Sequence, residues 1–438
     1  MKQKRILLFW LPLFASWLLM SSESPIVSAV INRLPNEVVM LAAQGIAVSL
    51  SIFIESPIIN LLATGTTMVR DYHSYRLVRR FTIHWLILLT IITILVAFTP
   101  LFDLVVVGWL QAPPDVAVWV RPGLQIMTLW SAAIGWRRFL QGVLIRYDRT
   151  RYIAYGTAVR IFTTATTAIG LGLWSNWAGA LIGPTALMVG VISEALMASW
   201  SIRPLLQAEL HPDGPQAVGE PLTYAALFWF HLPLVGTSAL VFIAQPVIAS
   251  SLARLSNPTQ TLAAWPIVFQ LMHMLRSPGM ALPEATIALL DEPDSFKALR
   301  RFSLTVAAVI LAVTTLVAFS PLAHLYLYQI QDTDPTIGPI AEAGLVMFLL
   351  LPAVTAVVSW LRGVLIFKRA TPIVNVGMAL NLSTTLLILW LGVTSQWNGL
   401  TTGALALTIA LVLECGFLYW QMQQKMQQQL VMRSAASL

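Results

Sequence analysis

Residues 9 to 200 of this chain recur as residues 230 to 420, and both copies are strings of apolar segments long enough to cross a membrane. A step of 221 residues takes Pro12 to Pro233, Pro25 to Pro246, Arg33 to Arg254 and Ser56-Pro57 to Ser277-Pro278. The same step takes Arg79-Arg80-Phe81 to Arg300-Arg301-Phe302, and Gly142-Val143-Leu144-Ile145 to Gly363-Val364-Leu365-Ile366. After one deletion the step becomes 220 and pairs Trp177 with Trp397, Glu194 with Glu414 and Trp200 with Trp420. Two helical bundles of one design, related by a pseudo-two-fold axis, are a recurrent way to build an alternating-access site. Transport is therefore the leading expectation.

Composition narrows the class. A mean hydropathy of +0.76, 57% hydrophobic residues and only 10% charged residues exclude a soluble globular domain, in which about a quarter of residues are charged. The chain reads as an all-α integral membrane protein. Its one cysteine, Cys415, lies in an apolar run and reads as a packing residue. The start, Met1-Lys2-Gln3-Lys4-Arg5 before an apolar run, superficially resembles a signal peptide. Because Pro12, Pro25 and Arg33 have repeat partners deep in the chain, this segment is expected to be structural and retained.

Runs of about 20 apolar residues, spanning as helices, fall at 6–33, 38–68, 80–107, 116–146, 152–174 and 178–202. A second set falls at 222–254, 258–290, 300–327, 337–367, 371–394 and 398–424. The expected organisation is two six-helix bundles, 1–202 and 222–425, a cytoplasmic linker at 203–221 rich in Pro and Gly, and a cytoplasmic tail at 426–438. Basic residues set the orientation. Lys2, Lys4, Arg5, Arg70, Arg76, Arg79, Arg80, Arg146, Arg149, Arg151, Arg203, Lys297, Arg300, Arg301, Lys368, Arg369, Lys425 and Arg433 fall on one side of this layout. Only Arg33, Arg121 and Arg254 approach the other, so both termini are expected in the cytoplasm of a multi-pass cell-membrane protein.

Five arginines remain inside predicted spans: Arg137, Arg138, Arg160, Arg276 and Arg362. A charge at a helix centre costs about 2.5 to 3.5 kcal/mol on insertion scales, so such a residue needs a partner or a wet cavity. Arg362 is near an inner end and is expected to snorkel, whereas Arg160 suits structural pairing. Arg276 lies mid-helix, on a predicted stripe with Gln270, His273, Ser277, Met280 and Glu284 at steps of three and four. Its repeat partner is Glu55, accompanied by Gln44 and Ser51. Two readings stand side by side. Glu55 and Arg276 form a static ion pair between the halves, or they act as gate or substrate groups, with Arg276 attracting an anion.

Three further features carry chemistry. Glu23 sits beside Pro25, whose missing N–H bends a helix, so protonation there could couple to bending; the plain reading is a glutamate near the outer surface touching Arg33 or water. Pro246 is the matching kink. An ordinary imidazole titrates in the working pH range, which His231 and His273 could use, but a lone helix histidine is more often a packing residue, and His273 is kept because it shares a face with Arg276. Arg137 and Arg138 sit where an anion entering from inside would meet them, or where they snorkel to lipid phosphates. The chain has no phosphate loop, no H-E-x-x-H, no paired C-x-x-C and no G-x-S-x-G elbow, so an enzyme, a metal site and a cofactor are not expected. Asn381-Leu382-Ser383 lies inside a predicted span and is a chance glycosylation match.

Leu41-Ala42-Ala43-Gln44-Gly45-Ile46 running on to Ser56-Pro57, Phe228-Trp229 with Leu232-Pro233-Leu234, Gln245-Pro246-Ile248, and Pro278 leading to Glu284 give the chain a family likeness. It resembles the multidrug/oligosaccharidyl-lipid/polysaccharide exporter superfamily, which includes the multidrug and toxic compound extrusion transporters. Within it the chain is similar to the progressive ankylosis protein family. The resemblance implies a MATE-like fold of twelve helices, with helices 1, 2, 7 and 8 lining a central cavity, and export of anions such as ATP, pyrophosphate or citrate. Gln44, Gln245, Gln270, His273 and Glu284 join Glu23, Glu55, Arg137, Arg138 and Arg276 as site candidates. The expected partners are a small anionic substrate, a coupling proton or sodium ion and membrane lipids, with no nucleic acid and a monomeric chain. A proton- or sodium-coupled cation or drug antiporter and a flippase for lipid-linked saccharides are the alternatives.

Overall fold

The computed structural model describes residues 3–212, 214, 221–290, 295–368 and 370–435, the side chains of 426 and 428–435 excepted. Lys2, Arg369 and parts of the predicted linker and tail therefore lie outside the described residues, as does the side chain of Arg433. Among the described residues every regular element is a helix. In the first repeat these are α1 (Gln3–Ile31), α2 (Glu37–Glu55), α3 (Leu61–Met68), α4 (Tyr72–Phe98), α5 (Pro114–Ile126), α6 (Trp130–Arg146), α7 (Arg151–Trp174) and α8 (Gly179–Ser201). The short α9 (Arg203–Ala208) follows, so the predicted linker opens as a helix, with Pro204 in its first turn where a missing N–H costs nothing.

The second repeat runs α10 (Tyr224–Phe242), α11 (Ala244–Leu252), α12 (Pro258–Met280), α13 (Leu282–Leu289), α14 (Ser295–Phe319), α15 (Pro321–His324), α16 (Gly338–Met347), α17 (Leu351–Phe367), α18 (Thr371–Thr394) and α19 (Gly399–Ala435). The backbone of α19 carries the helix through most of the predicted tail. Each predicted span is met by one helix or by two joined at a break. Among the described residues eight helical stretches are long and apolar enough to cross a membrane, three of them joined pairs (α2 with α3, α8 with α9, α10 with α11), and α16 with α17, bent by 41°, makes nine.

The breaks follow proline chemistry. Pro246 cannot donate to the Phe242 carbonyl, and α10 ends at Phe242. Pro25 lies inside an uninterrupted α1. The predicted spans at 80–107 and 300–327 begin and end earlier in the structure, as α4 and α14. Asp71 caps α4, its Oδ1 accepting from the Ser74 backbone N–H at 2.8 Å, while Pro100 and Pro321 follow the two C-termini. Arg76, Arg79 and Arg80 thereby enter α4. Beyond each proline the chain forms a π-turn, Asp103–Trp109 and Leu325–Ile330.

Backbone conformation repeats with the sequence. Asn36 and Asn257, one step of 221 apart, are left-handed at φ 58° and 51°; Gln111 and Asp332, again one step apart, are left-handed at 55° and 51°. Gly142 and its equivalent Gly363 mark close helix crossings: a Cβ on Gly142 would come within 3.1 Å of Gly65 Cα on α3, and one on Gly363 within 2.9 Å of Thr286 Cβ on α13.

The chain forms two compact units, one of Met1–Pro25, Leu255–Asn257 and Ala264–Leu438, the other of Ile26–Arg254 and Pro258–Ala263. The boundaries expected from sequence, 1–202 and 222–425, differ from these, because the leading helix of each repeat packs with the other repeat. In the first unit Ile6 and Trp10 of α1 are buried against Ala281, Leu282, Ala285 and Phe302. In the second, α10 packs on the Ser56–Ile58 turn and on α3 and α4. Ile87, Ile91, Leu95 and Phe98 of α4, and Val309, Val313 and Leu316 of α14, form exposed apolar stripes at helical spacing, as a bilayer-facing surface requires.

Candidate functional site

In the unit containing residues 26–254, Glu194 on α8 is fully buried and sits among cations. Arg137 Nη1 lies 2.9 Å from both Glu194 oxygens and donates to Oε1. Gln141, one turn further along α6, donates Nε2 to Oε1 at 3.1 Å, and Arg160 on α7 places Nη1 3.6 Å from Oε2. The sequence builds this by helical register: Arg137 and Gln141 stand four apart on one face of α6, and Thr157, whose Oγ1 lies 3.5 Å from Glu194 Oε1, stands three before Arg160 on α7. Gly190, one turn before Glu194 on α8, lets α7 approach, since a Cβ there would come within 3.2 Å of the Arg160 carbonyl oxygen.

Glu55 ends α2 close to this cluster. The charges acting on it are Arg138 first, then Arg137 and Arg160, and its buried Oε2 has no hydrogen-bond partner. The Nε atoms of Arg137 and Arg138 are buried and equally without an acceptor. Three arginines thus face two carboxylates, with polar atoms on both sides left over.

The other unit repeats the theme with different residues. Glu414 on α19, one step of 220 from Glu194, is also fully buried. Arg362 on α17 donates Nε to Glu414 Oε1 at 2.8 Å, with its Nη2 on the same oxygen, and Asn381 on α18 donates Nδ2 to Oε2 at 3.0 Å. Arg362 is the equivalent of Gln141, and Asn381 of Arg160. Arg362 has a buried carboxylate as its partner, an ion pair that the snorkelling reading does not include. Asn381 is a structural donor, in keeping with the chance status of its motif. Arg276 on α12 donates Nε to Thr355 Oγ1 at 2.9 Å, and Arg362 is the charge that acts on it.

The remaining candidates are scattered. Gln44, buried on α2 with Oε1 lacking a partner, fills the space against Gly183 on α8. Gln245 is half-buried on α11 and Gln270 half-buried on α12. His273 has a buried Nδ1 without a partner and leans on Phe269, ring centroids 6.2 Å apart. Glu23 is buried in α1, in the unit of Met1–Pro25, and Arg33 turns back to donate to the Ala29 carbonyl at 2.5 Å. Glu284 is exposed and stands on α13, past the break at Ala281, so the stripe from Gln270 to Glu284 does not run through on one helix. Glu55 belongs to one unit and Arg276 to the other. Sequence reasoning left Glu194, Glu414, Gln141 and Asn381 out of the site. The signal was present in the repeat, which aligns the two glutamates.

No protein-family model matches the chain, and no curated protein matches it. Solved structures do. An inward-facing multidrug resistance transporter of the MATE family, in the MOP superfamily, matches with a TM-score of 0.69 at 13% identity over 94% of this chain and 96% of that one. The lipid II flippase MurJ, in an inward closed conformation, matches with a TM-score of 0.73 at 11% identity over 94% and 87%. A MOP superfamily transporter from Pyrococcus furiosus, whose binding pocket is described as having reverse polarity, matches with a TM-score of 0.58 at 14% identity over 96% and 95%. These likenesses carry the superfamily fold, and not the finer resemblance to the progressive ankylosis family. The chain is an all-helical, multi-pass membrane protein with the fold of MATE family transporters.

Proposed function

We propose that the chain is a secondary-active transporter that exports polyvalent anions of the pyrophosphate, ATP or citrate class. The observation that carries this reading is one buried cluster with more guanidinium than carboxylate. Arg137, Arg138 and Arg160 outnumber Glu55 and Glu194 there, with the Nε atoms of Arg137 and Arg138 lacking acceptors. A buried donor without an acceptor costs about 1 to 3 kcal/mol, which an anion or a bound water recovers. The Pyrococcus protein, whose reverse pocket polarity is described as suggesting a different function, supports a change of function with pocket polarity within this fold.

The test is flux in proteoliposomes, comparing labelled pyrophosphate, citrate and ATP with a cationic dye. Anion flux is expected, and Arg138→Ala and Arg276→Ala are each expected to lower it about tenfold or more, the value of a lost charged hydrogen bond. Dye movement driven by a proton or sodium gradient, without anion flux, would replace this reading with that of a cation antiporter. The buried carboxylates Glu23 and Glu55 favour that second reading, as do the multidrug transporters among the matched structures. Scrambling of a lipid-linked diphosphate sugar would point to a flippase.

The same reading sets twelve spans with both termini in the cytoplasm and the transporter acting as a monomer. The asymmetry of Lys and Arg supports the orientation. A reporter fused after Leu438 is expected to read as cytoplasmic, and an external signal would invert the topology.

A further inference from the structure

His231 on α10 is fully buried and is bound on both ring nitrogens. Nε2 lies 2.9 Å from the carbonyl oxygen of Pro57, in the turn between α2 and α3, and Nδ1 lies 2.9 Å from Thr64 Oγ1 on α3. A carbonyl only accepts, so Nε2 carries a proton; in the neutral ring Nδ1 accepts the Thr64 hydroxyl proton, which in the charged ring turns to the Asn60 carbonyl 3.1 Å away. Asn60 adds two ties from the same turn to α10, donating Nδ2 to the Leu234 carbonyl at 2.9 Å and to Ser238 Oγ at 2.5 Å. Four polar contacts therefore fasten α10 to one helix break.

The other unit repeats this contact in a form that cannot titrate. One step of 221 takes Trp10 to His231 and Pro57 to Pro278, and Trp10 Nε1 donates to the Pro278 carbonyl at 3.0 Å. The counterparts of Asn60 and Thr64 are Ala281 and Ala285, both fully buried in an apolar cluster. One exchanged helix is thus held by indole and hydrocarbon, the other by imidazole, hydroxyl and amide.

Among the described residues no carboxylate is paired with His231. Phe81 and Trp85 of α4 pack edge-on to its ring at 5.3 and 5.7 Å, and His84 on α4 pairs with Tyr224 at 2.9 Å. On α2, Glu55 is acted on by Arg138, Arg137 and Arg160, and Glu37 stands in the first turn; α3 and α11 carry no charged residue. Arg76, Arg79 and Arg80 of α4 are exposed. Burying an imidazolium without a carboxylate costs more than its one added hydrogen bond to Thr64 returns. The docked helix is therefore the neutral-imidazole state.

We propose that His231, Thr64 and the Pro57 carbonyl form a proton-binding latch: α10 stays docked on the α2–α3 turn while His231 is neutral, and proton uptake releases it. The device concerns conformation and stands whichever substrate the protein moves. Its test is hydrogen–deuterium exchange of the purified full chain in lipid nanodiscs between pH 7.5 and 5.5, with rates corrected for intrinsic pH dependence. Exchange in peptides covering residues 57–64 and 229–238 is expected to rise about tenfold on acidification, and His231→Gln is expected to remove that rise. His231→Trp, the residue the repeat places at this step, keeps a ring N–H for the Pro57 carbonyl without a titrating nitrogen and is expected to remove the rise as well, so it reports even where His231→Gln fails to fold. Exchange that ignores pH, or that responds equally in His231→Gln or His231→Trp, overturns the proposal.

Discussion

Glu194→Ala is expected to destabilise the protein by about 3 to 5 kcal/mol, the penalty for leaving a buried ion partner uncompensated. Arg137 is only 4% exposed and has Glu194 as its ion-pair partner, and Arg160 leans on the same carboxylate. Alanine removes the acceptor for both and for Gln141, and no other carboxylate accepts a hydrogen bond from Arg137 among the described residues. Thermal denaturation of detergent-solubilised protein, followed by loss of the monodisperse peak in size-exclusion chromatography, measures this. The same logic at Glu414 separates charge from packing. Glu414→Leu alone strands Arg362, whereas Glu414→Leu with Arg362→Met removes both charges and is expected to recover most of the loss, as replacement of whole buried pairs generally does. A Glu194→Ala protein as stable as its parent would show that the arginines do not depend on this carboxylate.

Much of the fold was legible because the repeat is written into residue identity. The step of 221 that aligns the prolines also aligns the left-handed Asn36 and Asn257, the two π-turns and the close glycines Gly142 and Gly363. The exchange of α1 and α10 between units was not legible, since a helix apolar on nearly all faces does not specify which bundle receives it. The charge clusters were half legible. Glu194 and Glu414 align, but the partner cation enters one turn earlier in the first repeat, from Arg137, than in the second, from Arg362. In helices that touch on several sides, a shift of one turn conserves the ion pair while abolishing its signature in aligned positions. The stripe from Gln270 to Glu284 was not legible as two pieces, because helical spacing read from sequence gives no sign of the break at Ala281.

Gly142→Leu is expected to abolish correct packing of the unit that holds Glu194, even though residue 142 touches neither glutamate. A Cβ at Gly142 would press on the Leu62 carbonyl and stand 3.1 Å from Gly65 Cα, while Thr66 Oγ1 donates to the Gly142 carbonyl at 3.0 Å. All the opposing atoms are backbone, so no side chain can turn aside to make room. Overpacking by one methyl costs about 1 to 3 kcal/mol where neighbours are fixed, so Gly142→Ala already suffices to lower the melting temperature, and leucine exceeds what the α3–α6 crossing can absorb. The effect reaches the site because Gly142 follows Gln141 on α6, and a displaced α6 carries Arg137 and Gln141 away from Glu194. Gly236→Ala and Gly416→Ala are the controls, as an added Cβ at either meets nothing within 4 Å and alanine is the better helix former by about 1 kcal/mol. Size-exclusion profiles and melts of the four variants decide the matter. Monodisperse Gly142→Leu of parental stability would mean that α3 and α6 do not cross at backbone contact, and with that the register placing Arg137 on Glu194 would fall.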